Sequence, residues 1–167
     1  SLYANRPVVV RYPREKVPTP LTASQIRQQL AKKPGTTRLP RPEWIKRGAD
    51  GVIVAVGSMV GRAVKAAELL EKDYGYRFGV VNLRIAAPLD IDFIKSELSG
   101  FDVLVSLEEN IVTGGVGEGI VRVLAEAGLL PHHVMSLGIP DCFVPHGERE
   151  ELLRQLNLSP EGIAKNV

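Results

Sequence analysis

The sequence has little of several things that would mark a specialised class of protein. Its single cysteine, Cys142, cannot form an internal disulfide, which fits a reducing cytoplasm. Its 21 basic and 19 acidic residues nearly balance, so no charge excess predicts binding to nucleic acid or to an anionic membrane. No apolar run approaches the roughly 20 residues of a membrane-spanning helix, and the first residues lack a signal-peptide pattern. We therefore expect a cytoplasmic protein with no nucleic-acid or membrane partner.

The chain divides into two unequal parts. Residues 1–42 contain one apolar run, "PVVVRYP", a helix-like "TASQIRQQLAKK" and the Pro-rich and Gly-rich "KPGTTRLPRP". Prolines spread from Pro18 to Pro42 are typical of a connecting arm and not of a core. Residues 43–167 carry the regular patterns of a folded domain.

In this second part, short apolar strands alternate with single amphipathic helices. The segments "FGVVNLRI", "FDVLVSL" and "VMSLG" are typical of buried strands, and apolar residues from Val60 to Leu70 and from Val116 to Ala127 recur at helical spacing. "EREELLRQLN" predicts a last helix. This alternation predicts an α/β fold with a mixed, mostly parallel sheet of five strands covered on both faces. The turn at Asp50 and Gly51 predicts that the first two strands form an antiparallel hairpin.

The stretch "SLEENIVTGGVGEGI", residues 106–120, has two interpretations. It joins a strand to a helix, as a dinucleotide-binding loop does, but its glycines are spaced two and two instead of two and three. Carboxylates beside a helix N-terminus would also occupy its free N–H groups and repel a phosphate. We therefore favour a structural turn and helix cap, formed by Glu108, Glu109, Asn110, Gly114, Gly115 and Gly117.

The remaining candidates for catalysis are few. The three histidines have no partner at metal-ligand spacing, and Ser58 is better interpreted as a helix N-cap than as a nucleophile. Cys142 has no basic residue nearby in sequence that would make it a reactive thiolate. An Asp141 and Glu148 acid–base pair is less favoured than a turn and a helix start. We predict no catalytic residue and no metal site, and we expect His132 and His133 to lie on one solvated loop and His146 on another.

Six segments in order carry a family resemblance: "RYPR", "AVGSMV", "VVNLRIAAPLD", "SLEENIVTGGVGEGI", "GIPDCFVPHG" and "EELLRQLNLSPEGI". The sequence resembles the C-terminal end of the 1-deoxy-D-xylulose-5-phosphate synthases, within the transketolase family. The resemblance implies a transketolase C-terminal-like domain, a three-layer α/β/α sandwich, over residues 43–167. It also implies that residues 1–15 are the last strand of a preceding pyrimidine-binding domain and residues 16–42 a linker arm with one short helix.

The same resemblance implies a function for the parent enzyme. Such enzymes use thiamine diphosphate and Mg²⁺ to join pyruvate to glyceraldehyde 3-phosphate, an early step in making isoprenoid precursors. The cofactor motifs lie in upstream domains, and no Gly-Asp-Gly diphosphate motif occurs in this sequence. The chain is therefore expected to hold no cofactor, to be inactive alone, to partner the missing N-terminal domains and to support a homodimer.

One substrate-binding residue is implied by the resemblance. In these synthases the "RYPR" strand ends in an arginine that contacts the substrate phosphate, and the matching residue is Arg14. A guanidinium suits this role because its fixed fork donates two hydrogen bonds to a phosphate. The family usually has Gly at the next position, where Glu15 stands here, which leaves open a paralogue with an altered substrate.

Three classes of function remain open. The chain is the C-terminal domain of such a synthase, a separate subunit or domain of another transketolase-family enzyme such as a 2-oxoacid dehydrogenase β subunit, or a module that binds a regulatory ligand at the ends of its strands.

Overall fold

The computed structural model describes residues 40–167. The helices that begin at Met59 and Ile91 each continue as a π-helical segment, over Leu70–Tyr74 and Ile94–Leu98 respectively. In chain order the elements are β1 (Glu43–Lys46), β2 (Gly51–Ala55), α1 (Met59–Leu69), β3 (Phe78–Asn82), α2 (Ile91–Phe93), β4 (Val103–Ile111), α3 (Val116–Glu126), β5 (His133–Ile139), α4 (Arg149–Gln155) and α5 (Pro160–Asn166).

The five strands form one mixed sheet in the order β1-β3-β2-β4-β5. β2 is parallel to β3 and β4, β4 is parallel to β5, and only β1 is antiparallel to its neighbour. The predicted α/β class and the mostly parallel five-stranded sheet are therefore confirmed.

The predicted hairpin between the first two strands is wrong. β1 pairs with β3, which lies between β1 and β2. The turn before β2 is bound to the start of β3, because the Asp50 carboxylate accepts a hydrogen bond from the Arg77 N–H at 2.6 Å and the Ala49 N–H donates to the Arg77 carbonyl at 2.8 Å. Gly48 passes so close to Gly79 that a Cβ would overlap its backbone. The connection thus crosses over the N-terminal end of β3 instead of reversing beside β1.

Alternation along the strands produces two separate cores, one on each face of the sheet. In β2, Ile53 and Ala55 point to one face while Val52 and Val54 point to the other, and all four are buried. The first face is covered by α1, α4 and α5, and the second by α2 and α3. These layers are the predicted α/β/α sandwich.

The last helix predicted from sequence is followed by another that we did not predict. In α5 the Ser159 hydroxyl accepts a hydrogen bond from the Gly162 N–H at 3.1 Å, and Pro160 occupies the first turn. Ile163, fully buried, fixes α5 in the core that α1 shares. In the described part of the chain, no helix is long and apolar enough to cross a bilayer.

Several sequence predictions fall outside the described residues. They are the apolar strand in residues 1–15, the helix of the arm and the phosphate-binding role of Arg14. The proposed boundaries at residues 15 and 42 stay predictions.

Candidate functional site

The sheet has a topological switch point between β2 and β4. The chain leaves β2 toward β3 on one side, and it leaves β4 toward β5 on the other. In open α/β sheets ligands bind in the crevice outside the carboxyl ends of the strands at such a point. The residues that follow β2 and end β4 are therefore the candidate site.

Glu108 lies at the end of β4 and turns toward α3. Its carboxylate accepts hydrogen bonds from the Val116 and Gly117 N–H groups, each at 3.1 Å, and only 3% of the residue is exposed. These N–H groups belong to the first turn of α3, where no intrahelical acceptor is available. The buried charge is thus offset by two hydrogen bonds and by the positive end of the helix dipole.

The glycines of this loop serve different geometric needs. Gly114 has φ +73°, a left-handed conformation that a side chain disfavours. A Cβ on Gly115 would overlap the Glu108 carboxylate, and a Cβ on Gly117 would overlap the Ser106 hydroxyl. Only Gly114 is required for its backbone angle, whereas Gly115 and Gly117 are required for close approach.

Glu109 does not cap α3, contrary to the interpretation of the Glu pair as a joint cap. Its carboxylate accepts two hydrogen bonds from the Arg149 guanidinium, at 2.8 and 2.6 Å, and one from the Ser58 hydroxyl at 2.7 Å. The reason is strand geometry: adjacent side chains point to opposite faces, so Glu109 lies on the α1 and α4 side of the sheet. Asn110 is exposed in β4, and within the described residues its side chain makes no hydrogen bond to α3.

Ser58 also differs from its prediction. It stands at the N-cap position of α1, but its side chain makes no capping hydrogen bond and donates to Glu109 instead. The hydroxyl thus connects the segment after β2 to the end of β4, across the switch point.

The electrostatics of Glu109 follow from these contacts. Hydrogen bonds from Arg149 hold the pKa of the Glu109 carboxyl below its ordinary value, and the Ser58 hydroxyl acts in the same direction, while partial burial opposes both. Arg62 on α1 adds a smaller attraction and forms its own ion pair with Glu150. The switch point is therefore filled by a cluster of two guanidinium groups, two carboxylates and a hydroxyl.

The cluster determines what this region can bind. Glu108 already occupies the helix N–H groups that a phosphate would need, and Glu109 and Arg149 satisfy each other. Among residues 40–167, no group of three or more His, Cys, Asp or Glu side chains could hold a metal ion. Because Glu108 takes the Val116 and Gly117 N–H groups, this crevice does not fit the diphosphate of thiamine diphosphate.

Sequence reasoning missed Arg149, the main partner of Glu109, because 40 residues separate the two. Cys142, which the sequence did not favour as a reactive thiolate, is exposed on the loop that leads from β5 to α4. His133 opens β5 and is exposed there, instead of lying on the predicted loop. Asp141 and Glu148 are exposed as well, and Glu148 immediately precedes α4.

A second concave surface lies beside β1 and α2. It is a shallow, open depression whose walls include Arg41, Trp44, Arg47 and Glu97. Each arginine already has an acidic partner, since Arg41 pairs with Asp90 and Arg47 pairs with Glu97 while stacking on Trp44. The charges of this surface are thus internally compensated.

Comparison with known proteins agrees with this architecture. The family model described as "Transketolase, C-terminal domain" matches residues 43–163. Among solved structures, a split-gene transketolase described as an inactive β4 tetramer is 30% identical, with a TM-score of 0.68 over 75% of this chain and 40% of that chain. A transketolase from Pichia stipitis is 25% identical, with a TM-score of 0.52 over 75% of this chain and 17% of that chain.

Curated relatives match almost the whole sequence. The 1-deoxy-D-xylulose-5-phosphate synthase of Dechloromonas aromatica is 39% identical over 96% of this chain, and that of Aquifex aeolicus is 34% identical over 100%. Synthase 2 of Geobacter sulfurreducens is 39% identical over 98%. The matched region is 24 to 25% of each relative, so the chain spans about a quarter of their length.

Removal of the Glu108 cap should be costly. We expect Glu108→Ala to lower the free energy of unfolding by about 1–3 kcal/mol, because two N–H groups of α3 lose their acceptor. The matched control is Glu126→Ala on the exposed face of α3, which should cost about 0.5 kcal/mol or less. Urea unfolding measures both, and equal costs would contradict the capping role.

Glu109 should contribute stability in a pH-dependent way. At pH 7 we expect Glu109→Gln to cost about 1–3 kcal/mol, because the charged pair with Arg149 is lost. Since the folded-state pKa lies below the unfolded one, the stability is fully present above the unfolded pKa of about 4.3 and is lost as pH falls through the folded pKa. Unfolding curves from pH 7 to pH 3 should therefore show the difference in free energy of unfolding between the wild type and Glu109→Gln becoming smaller. A difference that stays constant over this range would contradict the assigned ion pair.

Gly114 and Gly61 should respond in opposite directions to a methyl group. A Cβ would meet nothing within 4 Å at either position, but only Gly114 has positive φ. We expect Gly114→Ala to destabilise by about 1 kcal/mol and Gly61→Ala, inside α1, to stabilise by about 0.5–1 kcal/mol. Thermal melts that shift in the same direction for both variants would contradict the assigned turn geometry.

Proposed function

Because the chain belongs to the transketolase C-terminal domain family, we propose that it is the C-terminal domain of a 1-deoxy-D-xylulose-5-phosphate synthase. The observation that carries this proposal is the extent of the match. Synthases that are 34 to 39% identical align with nearly all of the chain, yet it spans only about a quarter of them. The activity therefore belongs to a longer protein, of which this domain is one part.

The proposed parent is a cytoplasmic enzyme that uses thiamine diphosphate and Mg²⁺. When bound, the cofactor supplies the means to decarboxylate pyruvate and to transfer the two remaining carbons to glyceraldehyde 3-phosphate. In our proposal both groups are held by the upstream domains, and Arg14 contacts the phosphate of the aldehyde. The domain over residues 43–167 takes no part in the chemistry.

The contribution of this domain is structural, and the switch-point cluster supports that role. Glu109, Arg149 and Ser58 hold the carboxyl ends of β2 and β4 against α4, where a ligand would otherwise enter. A rigid domain of this kind can support the neighbouring active-site domains and contribute contacts to a homodimer. A regulatory ligand at the crevice is less well supported, because its polar groups already bind one another.

A second candidate is a separately encoded subunit of a transketolase-like enzyme. The solved split-gene transketolase, 30% identical to this chain, favours it, since that protein's description places its function on more than one gene. In this case too the domain would support a site held by other parts of the assembly.

We expect the 167-residue chain alone neither to bind thiamine diphosphate nor to consume pyruvate. In contrast, a chimera in which residues 43–167 replace the matching region of the Dechloromonas aromatica synthase should convert pyruvate and glyceraldehyde 3-phosphate. Calorimetry with Mg²⁺ and thiamine diphosphate tests the first expectation, and a pyruvate-consumption assay tests the second.

The matched control is a chimera that carries the C-terminal domain of the Pichia stipitis transketolase. If synthase activity requires a C-terminal domain of the synthase type and not of the transketolase type, this control should be at least about tenfold less active. That corresponds to a difference of about 1.4 kcal/mol in barrier height. Micromolar cofactor binding by the isolated chain, or a folded but inactive chimera with residues 43–167, would contradict the proposal.

A further inference from the structure

The two edges of the sheet are protected to different degrees. At one edge β1 has only four residues, includes Glu43 and Lys46, and has a register irregularity between Trp44 and Lys46. These are the features by which proteins prevent edge strands from pairing with other chains. At the other edge β5 has seven residues, "HVMSLGI", without proline and without Asp, Glu, Lys or Arg.

Within residues 40–167, the outer side of β5 presents backbone groups that no neighbouring strand pairs. The His133 N–H donates to the Asp102 carbonyl and the Ile139 carbonyl accepts from the Val112 N–H, so both of these residues face β4. Because successive residues of a strand alternate in direction, the N–H and C=O groups of Val134, Ser136 and Gly138 face away from β4.

Within the described part of the chain these outward groups have no backbone partner beyond β5. Val134 is 36% exposed, and the partial exposure of Gly138 is exposure of its backbone, since this residue has no side chain. The edge is therefore accessible and offers alternating donors and acceptors in a row.

We propose that β5 pairs in antiparallel fashion with β5 of a second copy of this chain, about a two-fold axis at Ser136. In this register Ser136 lies opposite Ser136, and Val134 lies opposite Gly138. All three outward residues are symmetric about Ser136, so every outward N–H of one copy meets an outward C=O of the other. The sheet then continues across the axis as a single ten-stranded sheet, with twice the five strands of one copy.

Side-chain charge and size also favour a second copy as the occupant. Each His133 lies opposite Ile139 of the other copy, so no like charges face each other across the pair. The Val134 side chain meets a glycine, which leaves it space. On the opposite face Met135 and Leu137, both only partly buried, extend the core beneath α1 and α4 toward the axis.

The expected dimer is reversible. A pair of seven-residue strands covers less area than the roughly 1,200–2,000 Å² of stable interfaces, so dissociation on dilution should be measurable. This inference goes beyond the proposed function and holds whichever reaction the parent enzyme catalyses.

The test is sedimentation equilibrium of the 167-residue chain over a dilution series. Val134→Pro removes one outward N–H from each copy without removing a bond to β4, whereas Val134→Ala shortens the same side chain and keeps the N–H. We expect the proline variant to raise the dimer Kd by at least about tenfold relative to the alanine variant. Circular dichroism of both variants establishes that the fold is retained.

Hydrogen exchange of the wild-type chain gives a second readout that does not depend on a variant. The amides of Val134, Ser136 and Gly138 should exchange more slowly as protein concentration rises, while that of Phe143 on the exposed loop should not change. A monomer at all concentrations, equal Kd values for the two variants, or no concentration dependence of these amides would each overturn the proposal. The chimera assay is unaffected by these outcomes, so failure here leaves the proposed function standing.

Discussion

Strand β4 ends in two consecutive glutamates whose carboxylates lie on opposite faces of the sheet, and each carboxylate needs hydrogen-bond donors on its own face. Glu108 turns to the α3 face and Glu109 to the α1 and α4 face. A carboxylate that loses contact with water on folding needs compensating donors, and Glu108 is almost fully buried whereas Glu109 is partly buried. Each therefore requires donors, which the first turn of α3 supplies to Glu108 and the Arg149 guanidinium supplies to Glu109. One dipeptide in this way connects both helical layers to the sheet.

This constraint has a direct consequence for function. The carboxyl ends of β2 and β4 are the place where open α/β sheets usually receive a ligand. Here the same position holds the ion pair of Glu109 and Arg149, to which the Ser58 hydroxyl is hydrogen-bonded. The crevice where a ligand would usually bind is therefore occupied by contacts that stabilise the domain itself. In our proposal, a domain built in this way contributes to an enzyme through rigidity and through its surfaces. That conclusion agrees with a chain that spans about a quarter of its curated relatives.

Local sequence patterns predicted the elements well and their partners poorly. The helical stripe that became α1 and the apolar runs that became β3 and β4 were identifiable because burial imposes a period on the side chains. The pairing of β1 with β3 was not, since it joins segments about 35 residues apart and the Asp50-Gly51 turn suggested a nearer partner. Arg149 was missed for the same reason, because the sequence shows a charge but not the carboxylate 40 residues away that it meets. In contrast, the sequence does contain a signal for α5, because Ser159 is a typical N-cap residue and Pro160 a typical first-turn residue.

The glycine-rich loop shows how a structural turn can be distinguished from a phosphate-binding loop. A phosphate loop needs glycines where the ligand approaches the backbone, and its helix N–H groups must stay free. In this domain the approaching group is the protein's own Glu108, so Gly115 makes room for that carboxylate and Gly117 for the Ser106 hydroxyl. The pairing of β4 with β5 has a register irregularity between Leu107 and Ile111, and Glu108 lies within this irregular segment, beside the first turn of α3. An acidic residue at the end of the strand, followed by glycines spaced two apart, therefore indicates a helix whose anion is already supplied by the chain.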